Sequence, residues 1–187
     1  MKKSLGAKTI LFPSPVLIVC SYDAAGVPNA MNVAWGGITC SEPPAVAVSI
    51  REQRKTYENI MLKKAFTVCI PPEEHIREAD YVGMVSGATV DKFGSAKLTP
   101  VKSDLVDAPY IKEFPFVLEC RLLQTVRLGS HTQFIGEILD VKAEESILNA
   151  KGFPDFEKMK AFMFDPGTSS YYRTGKFIGQ AFAIGKK

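Results

Sequence analysis

Short apolar runs separated by turn residues dominate the first quarter of the chain. Residues 16–22 form a β-branched apolar run that predicts a strand, and the Asp, Gly and Pro of residues 23–28 predict a turn after it. Hydrophobic and polar side chains alternate over residues 29–38, as in a half-buried strand. Two prolines break this pattern within residues 41–44, and residues 45–50 begin a third strand. Because the connections are short, we expect antiparallel pairing.

Two helices and a helical turn are expected between the strands. Residues 57–64 predict a helix with Thr56 as its N-cap and lysines at the negative end of its dipole. Residues 73–86 begin with acidic side chains, repeat apolar ones at helical spacing and lead to Gly87 as the expected C-cap. Residues 91–94 predict a tight turn or one short helical turn.

The second half returns to strand patterns. Residues 65–70, 117–123 and 132–141 predict three further strands, with a loop at residues 127–130. Many short strands with two inserted helices favour a mainly β fold, a closed or nearly closed antiparallel barrel with flanking helices. Residues 153–187 show no clear period, so we expect them to wrap the barrel or to contact a partner subunit.

Composition narrows the class of protein. A chain of 187 residues, 46% hydrophobic and 23% charged, is expected to form one domain over residues 1–187. The net charge is only +3 and its cations are dispersed, which argues against nucleic-acid binding. No secretory signal or membrane-spanning apolar run is visible, so we expect a cytoplasmic protein that does not bind membranes. Glycine-rich nucleotide-binding motifs are absent as well.

The residues that usually carry hydrolytic or metal chemistry are sparse. Cys20, Cys40, Cys69 and Cys120 form no Cys-x-x-Cys pair, and three of them lie in apolar runs, so we expect buried free thiols. The two histidines are far apart in sequence. We therefore predict no catalytic nucleophile and no metal site.

Cations cluster where the third strand leads into the first predicted helix. Arg51, Arg54 and Lys55 precede Thr56, near the free N–H groups of a helix N-terminus. Charge, dipole and donors would converge there on a phosphate monoester. The same pattern is typical of a solvated basic loop with an ordinary cap, and Thr56 is compatible with both roles.

The alternating strand also carries polar and aromatic side chains that need an explanation. Trp35, the only tryptophan, precedes two glycines and is either a core residue or a contact to a flat ring. Asn29 and Asn32 need buried partners, either the neighbouring backbone or the polar edge of a ligand. His131 follows Gly-Ser and is either an exposed loop residue or a contact to such a ring, whereas His75 is expected at the surface.

Five stretches resemble the flavin reductase-like, FMN-binding split-barrel family, and within it the flavoredoxins. They are residues 29–35, 49–56 with 59–60, 87–93, 131–138, and 164–166 with 171–172, which together span nearly the whole chain. The resemblance implies a Greek-key split β-barrel of six strands, built as a homodimer with FMN near the interface. The residues that it implies at the ring are Asn29, Asn32, Trp35, His131 and Phe164. Those that it implies at the phosphate or ribityl chain are Ser49, Arg51, Lys55, Thr56 and Lys92.

Three functions remain open at this stage. The first, which the likeness to flavoredoxins favours, is an FMN flavoprotein that carries electrons between redox partners. The second is an NAD(P)H:flavin oxidoreductase, in which hydride passes from nicotinamide to flavin without a side-chain acid. The third is a binding module that uses the barrel for a ligand without redox chemistry.

Overall fold

A computed structural model describes residues 1–186 and shows a mainly β chain. Its strands in order are β1 (Ser14–Pro15), β2 (Leu17–Tyr22), β3 (Pro28–Val33), β4 (Gly36–Ser41), β5 (Pro44–Ile50), β6 (Ala65–Ile70), β7 (Pro100–Lys102), β8 (Pro109–Ile111), β9 (Phe116–Leu128), β10 (His131–Ala143), β11 (Phe162–Asp165) and β12 (Ser170–Arg173). Its helices are α1 (Lys55–Lys63), α2 (Ile76–Met84) and α3 (Lys92–Ala96), with 3₁₀ turns at Glu73–His75 and Glu145–Ile147.

The main sheet has seven antiparallel strands in the order β3-β2-β6-β9-β10-β5-β4. β3 and β4 therefore form opposite edges, although only Ala34 and Trp35 separate them in the chain. The link from Val33 to Gly36 spans at most about 11 Å. The sheet must consequently curl until its edges lie side by side, and no ladder joins β3 to β4 within residues 1–186. This is a barrel that stays split at residues 34–35.

The connections follow a Greek key. β5, β6, β9 and β10 succeed one another apart from the small β7–β8 hairpin, and they lie in the order β6-β9-β10-β5. The prediction of a mainly β, antiparallel split barrel with flanking helices is thus confirmed. The residue pattern left open whether the barrel closes, and the structure shows that it does not; the sheet has seven strands rather than the six that the resemblance implies.

Successive side chains along β2 pack alternately into two apolar cores. Leu17 and Val19 join the barrel interior, where the fully buried Phe66 and Phe134 lie, and Ile18 joins a second cluster under α2 and α3. Because each strand presents successive side chains to opposite faces, one apolar strand can serve both layers. Complete burial of one such aromatic side chain contributes about 1.5–3 kcal/mol.

Three predicted boundaries were wrong for reasons of tertiary contact. α1 begins at Lys55 with Arg54 as its N-cap, because the Thr56 hydroxyl faces β3 and accepts a hydrogen bond from Asn29 Nδ2 at 2.8 Å. α2 ends at Met84 with an extended C-cap, so Gly87 has another role. The alternating strand breaks at residues 34–35, where the chain crosses the split.

The late strands are longer and more numerous than the pattern predicts. β9 and β10 meet at a turn of only two residues, in which Gly129 has φ 54°, a value that glycine adopts without strain. β1, β11 and β12 form a separate small sheet, and β7 pairs with β8. Each of these strands has four residues or fewer, too few for a period to show. Lys187, the last residue of the aperiodic stretch, lies outside the described residues.

The burial of the cysteines and of His75 only partly matches the predictions from the sequence. Cys20, Cys69 and Cys120 are buried free thiols, as predicted, whereas Cys40 is exposed because it lies on the edge strand β4. His75 is half-buried and packs against Phe114, with ring centroids 5.6 Å apart. Within residues 1–186, no helix has both the length and the hydropathy that crossing a membrane requires.

Candidate functional site

A cleft of about 440 Å³ opens where the barrel is split, a volume within the range of small-molecule sites. It is bounded by the end of β3 and its link to β4, the end of β5, one face of α2, the start of β10 and the β11–β12 hairpin. The lining residues are Met31, Asn32, Val33, Ala34, Trp35, Ser49, Arg51, Arg54, Asp80, Gly83, Met84, His131, Phe164 and Tyr171.

The structure brings together most of the residues that the sequence implied. Those that line the cleft are Asn32, Trp35, Ser49, Arg51, His131 and Phe164. Asn29, Thr56 and Lys92 do not line it and are buried. Lys55 lies elsewhere: its Nζ is 3.2 Å from Glu58 Oε2, and it lines a separate groove with Asn29 and the loop at residues 87–91.

The sequence assigned no role at the site to four lining residues outside the segment of residues 31–35. These are Asp80, Gly83, Met84 and Tyr171. Arg54 belonged to the predicted cation cluster, although the family resemblance did not imply it at the phosphate. Tyr171 stands in a stretch that carried the family resemblance, so a signal for it existed. Asp80 is one of several acidic positions in and before α2, and nothing in its local pattern separates it from the others.

Trp35 is exposed because it lies in the crossing between the sheet edges. Its side chain is 44% exposed, so the core alternative for this tryptophan is wrong. The Trp35 carbonyl accepts a hydrogen bond from Ser49 N at 2.8 Å, which fixes the crossing against β5. The indole is therefore a preformed apolar surface at the edge of the cleft.

The opposite wall depends on a close approach of α2 to β3. Asn32 Nδ2 donates to the Ala79 carbonyl at 3.0 Å, and a Cβ on Gly83 would lie 2.9 Å from the Asn32 Cβ. Only glycine permits this spacing without a shift of the helix. A backbone carbonyl thus accepts a hydrogen bond from the Asn32 Nδ2, which agrees with one of the two alternatives for this residue.

Asn29 keeps one buried atom without a partner. Its Nδ2 donates to Thr56 Oγ1, but its Oδ1 has no hydrogen-bond donor among the described residues. A Cβ on Gly87 would lie 1.9 Å from that oxygen, so a glycine is needed at this point of the loop. The atom is a hydrogen-bond acceptor directed toward the groove that Lys55 lines.

Two guanidinium groups give the cleft its positive charge. Arg51 is exposed and Arg54 is half-buried, and neither has a carboxylate within 4.0 Å among residues 1–186. The nearby Glu52 pairs instead with Arg127, at 3.1 Å. Uncompensated guanidinium groups beside a helix N-terminus favour an anion such as a phosphate. The basic loop is therefore divided: its arginines face the cleft and its lysine does not.

Lys92 is a buried cation that holds three elements together. Its Nζ donates to the Ala30 carbonyl at 2.8 Å and to the Val82 carbonyl at 2.7 Å, which joins α3 to β3 and α2. Burial, and then the charge of Arg54, lower the pKa of Lys92 to about 8. An anion bound near Arg54 would relieve part of this cost, because it offsets the charge repulsion.

We expect Lys92 to contribute a rise in the free energy of unfolding as the pH increases from 8 toward 10.5, its ordinary pKa. In that window the unfolded chain binds the Lys92 proton and the folded chain has lost it, so this contribution is about 3 kcal/mol. The raised pKa values of Cys20, Cys120 and Tyr171 act in the opposite direction, so the contribution is measured as a difference between variants in urea titrations at several pH values. Between pH 8 and 10.5, the stability of Lys92→Met should fall relative to that of wild type and of Lys102→Met, which removes an exposed lysine; parallel pH profiles in all three would contradict the assignment.

His131 stands at the start of β10 on the rim of the cleft. It is half-buried, and its Nδ1 lies 2.9 Å from Ser130 Oγ. This contact leaves Nε2 of the imidazole available to a ligand. A protonated imidazole there would stabilise negative charge on a bound ring.

The fold and the cleft define a split-barrel protein with a site for a flat, anionic ligand. Residues 9–160 match the flavin reductase like domain, so the chain belongs to the flavin reductase-like family. Flavoredoxin of Desulfovibrio vulgaris (Miyazaki F) is 48% identical, with 100% of both chains covered and a TM-score of 0.96. Flavoredoxin from Methanosarcina acetivorans is 30% identical over 100% of this chain and 98% of its own, with a TM-score of 0.92.

A more distant structure shares the fold alone. It is the FMN-binding protein from Thermus thermophilus with bound 1-cyclohex-2-enone, 22% identical over 96% of this chain and 97% of its own, with a TM-score of 0.79. The family resemblance is therefore confirmed, and with it a flavoprotein. The lining residues fit a flavin that carries a phosphate. Trp35, Phe164 and Tyr171 offer aromatic surface to the ring, and Arg51 and Arg54, which have no carboxylate partner among residues 1–186, offer positive charge to the phosphate.

Proposed function

We propose that this protein is an FMN-binding electron carrier that exchanges electrons with a redox partner protein. One observation carries the proposal: two arginines that have no carboxylate partner among residues 1–186 share one cleft of about 440 Å³ with the aromatic side chains of Trp35, Phe164 and Tyr171. Bound FMN supplies the redox chemistry, and the protein binds and orients it. The sequence predicts no nucleophile and no metal site, and electron transfer through bound FMN requires neither.

Roles for the lining residues follow from their chemistry. Arg51 and Arg54 bind the phosphate, with Ser49 as a further hydroxyl donor. Trp35 and Phe164 pack against the ring from the two sides of the split. Asn29, Thr56 and Lys92 support the cleft from behind, because their hydrogen bonds hold β3, α1 and α2 in place.

The electron-carrier reading is supported by the likeness to two flavoredoxins and by the open geometry of the cleft. Trp35 and Met84 are 44% and 72% exposed, so a ring between these walls would keep an edge accessible to a partner. Electron transfer between proteins needs such an exposed edge, whereas hydride transfer also needs room to stack a nicotinamide ring.

We also propose that the protein is a homodimer whose interface includes the rims of the split. Ile38 on β4 is 70% exposed and Leu128 beside His131 is 77% exposed, so both rims of the split carry apolar side chains. Further exposed apolar residues in the terminal segments are Leu11, Phe12, Phe177, Ile178, Phe182 and Ile184. Such surface is typical of subunit interfaces. Light scattering should give twice the 20.5 kDa mass of one chain.

The visible absorbance spectrum tests the function directly. We expect a flavin spectrum that remains with the protein through gel filtration, and an extract of it that contains FMN. Anaerobic addition of NADH or NADPH should bleach it slowly, and a reduced small redox protein should bleach it fast. Rapid bleaching by a nicotinamide nucleotide would favour the oxidoreductase alternative, and a colourless protein that takes up no FMN would refute both.

A further inference from the structure

One wall of the cleft contains a hydrogen-bonded pair from two separate parts of the fold. The Tyr171 hydroxyl on β12 donates to Asp80 Oδ1 on α2 at 2.8 Å. Both side chains line the cleft. The pair connects the small β1-β11-β12 sheet to a helix that packs on the main barrel.

Tyr171 also supports Phe164 from the neighbouring strand. The two residues are partners in the β11–β12 register, and their ring centroids are 5.7 Å apart at an interplanar angle of 52°. Phe162, also on β11, contacts the Tyr171 ring edge-on, with centroids 5.3 Å apart at 87°. A ring that contacts two aromatic side chains and is anchored at its hydroxyl has little freedom, so the position of Phe164 depends on Tyr171.

Asp80 is the one carboxylate among the cleft-lining residues of the described chain. The groups that share the cleft with it are the Tyr171 hydroxyl, which donates to it, the positive side chains of Arg51 and Arg54, and the imidazole of His131. Burial, with Asp80 as the next cause, raises the pKa of Tyr171, so the phenol keeps its proton and remains a donor. The Tyr171 hydroxyl therefore remains a hydrogen-bond donor to Asp80.

We propose that Tyr171 and Asp80 act together as a device that positions Phe164 and sets the reduction potential of the flavin. This inference rests on the proposed FMN function. Reduced flavin carries more negative charge than oxidised flavin, so a carboxylate beside it disfavours the reduced form and lowers the potential. The hydrogen bond from Tyr171 offsets part of the negative charge of that carboxylate. The pair therefore lowers the reduction potential less than Asp80 would without Tyr171. Tyr171 is a positioning residue for Phe164.

The test compares Asp80→Asn, Tyr171→Phe and, as a matched charge control, Glu74→Gln, which alters an exposed residue just before α2. Fluorescence titration gives the dissociation constant of oxidised FMN, and spectroelectrochemistry gives the midpoint potential. In Asp80→Asn we expect a more positive potential, equivalent to about tenfold tighter binding of reduced relative to oxidised FMN. In Tyr171→Phe we expect a more negative potential and about threefold weaker binding of oxidised FMN. Glu74→Gln should leave both quantities unchanged.

Each outcome has one meaning. Wild-type protein that fails to bind FMN would refute the proposed function and not the packing argument for Tyr171. Wild-type binding, combined with a potential in Asp80→Asn equal to that of Glu74→Gln, would overturn the inference and leave the proposed function intact. Shifts of the same sign in Asp80→Asn and Tyr171→Phe would overturn it too, because a merely structural loss moves both variants alike.

Discussion

Replacing Arg51 and Arg54 together by alanine will weaken FMN binding about 100-fold or more. Each guanidinium lines the cleft without a carboxylate partner among residues 1–186, so each is free to donate to the phosphate. A hydrogen bond to a charged group contributes about 1.5–3 kcal/mol, and two of them account for at least this factor. Quenching of flavin fluorescence during titration with the variant measures the dissociation constant.

Riboflavin and two further variants separate this effect from others. Riboflavin lacks the phosphate, so its affinity should be nearly equal in wild type and in the double variant. Arg127→Ala removes an exposed arginine that pairs with Glu52 outside the cleft, and it should bind FMN normally. Lys55→Ala tests the neighbouring groove: a larger loss there than in the arginine variant would place the phosphate beside Asn29 and Lys55 instead.

Lys142→Ala will destabilise the fold by about 2–4 kcal/mol. The Lys142 ammonium lies 3.4 Å from Glu119 Oε2, and Glu119 is fully buried, with no hydrogen-bond donor to either carboxylate oxygen among residues 1–186. Removal of one partner of a buried ion pair leaves an uncompensated charge, which costs about 3–5 kcal/mol in a fully buried site. Lys142 itself is 32% exposed, so we expect a smaller loss. Denaturant titration at pH 7 measures it.

A variant of the neighbouring Asp104 and a double variant provide the controls. Asp104 also lies near the ammonium, at 3.5 Å, but its side chain is 86% exposed, so Asp104→Asn should change stability by less than about 1 kcal/mol. Glu119→Gln in the Lys142→Ala background should restore part of the lost stability, because the amide carries no charge to leave unpaired. If the double variant is less stable than Lys142→Ala alone, the buried charge is not the cause.

The strand pattern and the cation cluster were available from sequence, but their geometry was not. The alternation over residues 29–38 predicts one strand, whereas the chain crosses from one sheet edge to the other at Trp35. Periodicity reports which faces of a segment are apolar, and it does not report which strands become neighbours. For the same reason Thr56 looks like a helix cap in sequence, although in the structure its hydroxyl bonds Asn29 from a distant strand.

The amino-acid pattern was sufficient to predict the mainly β class, the antiparallel pairing, the family resemblance and a cation cluster before the first helix, because these depend on local side-chain chemistry and short connections. The folded chain was needed to show that Arg54 rather than Lys55 faces the cleft, that Trp35 is exposed at the split, and that Asp80 meets Tyr171. These relations join residues as much as 91 positions apart, and sheet curvature and helix docking alone bring such residues within contact distance.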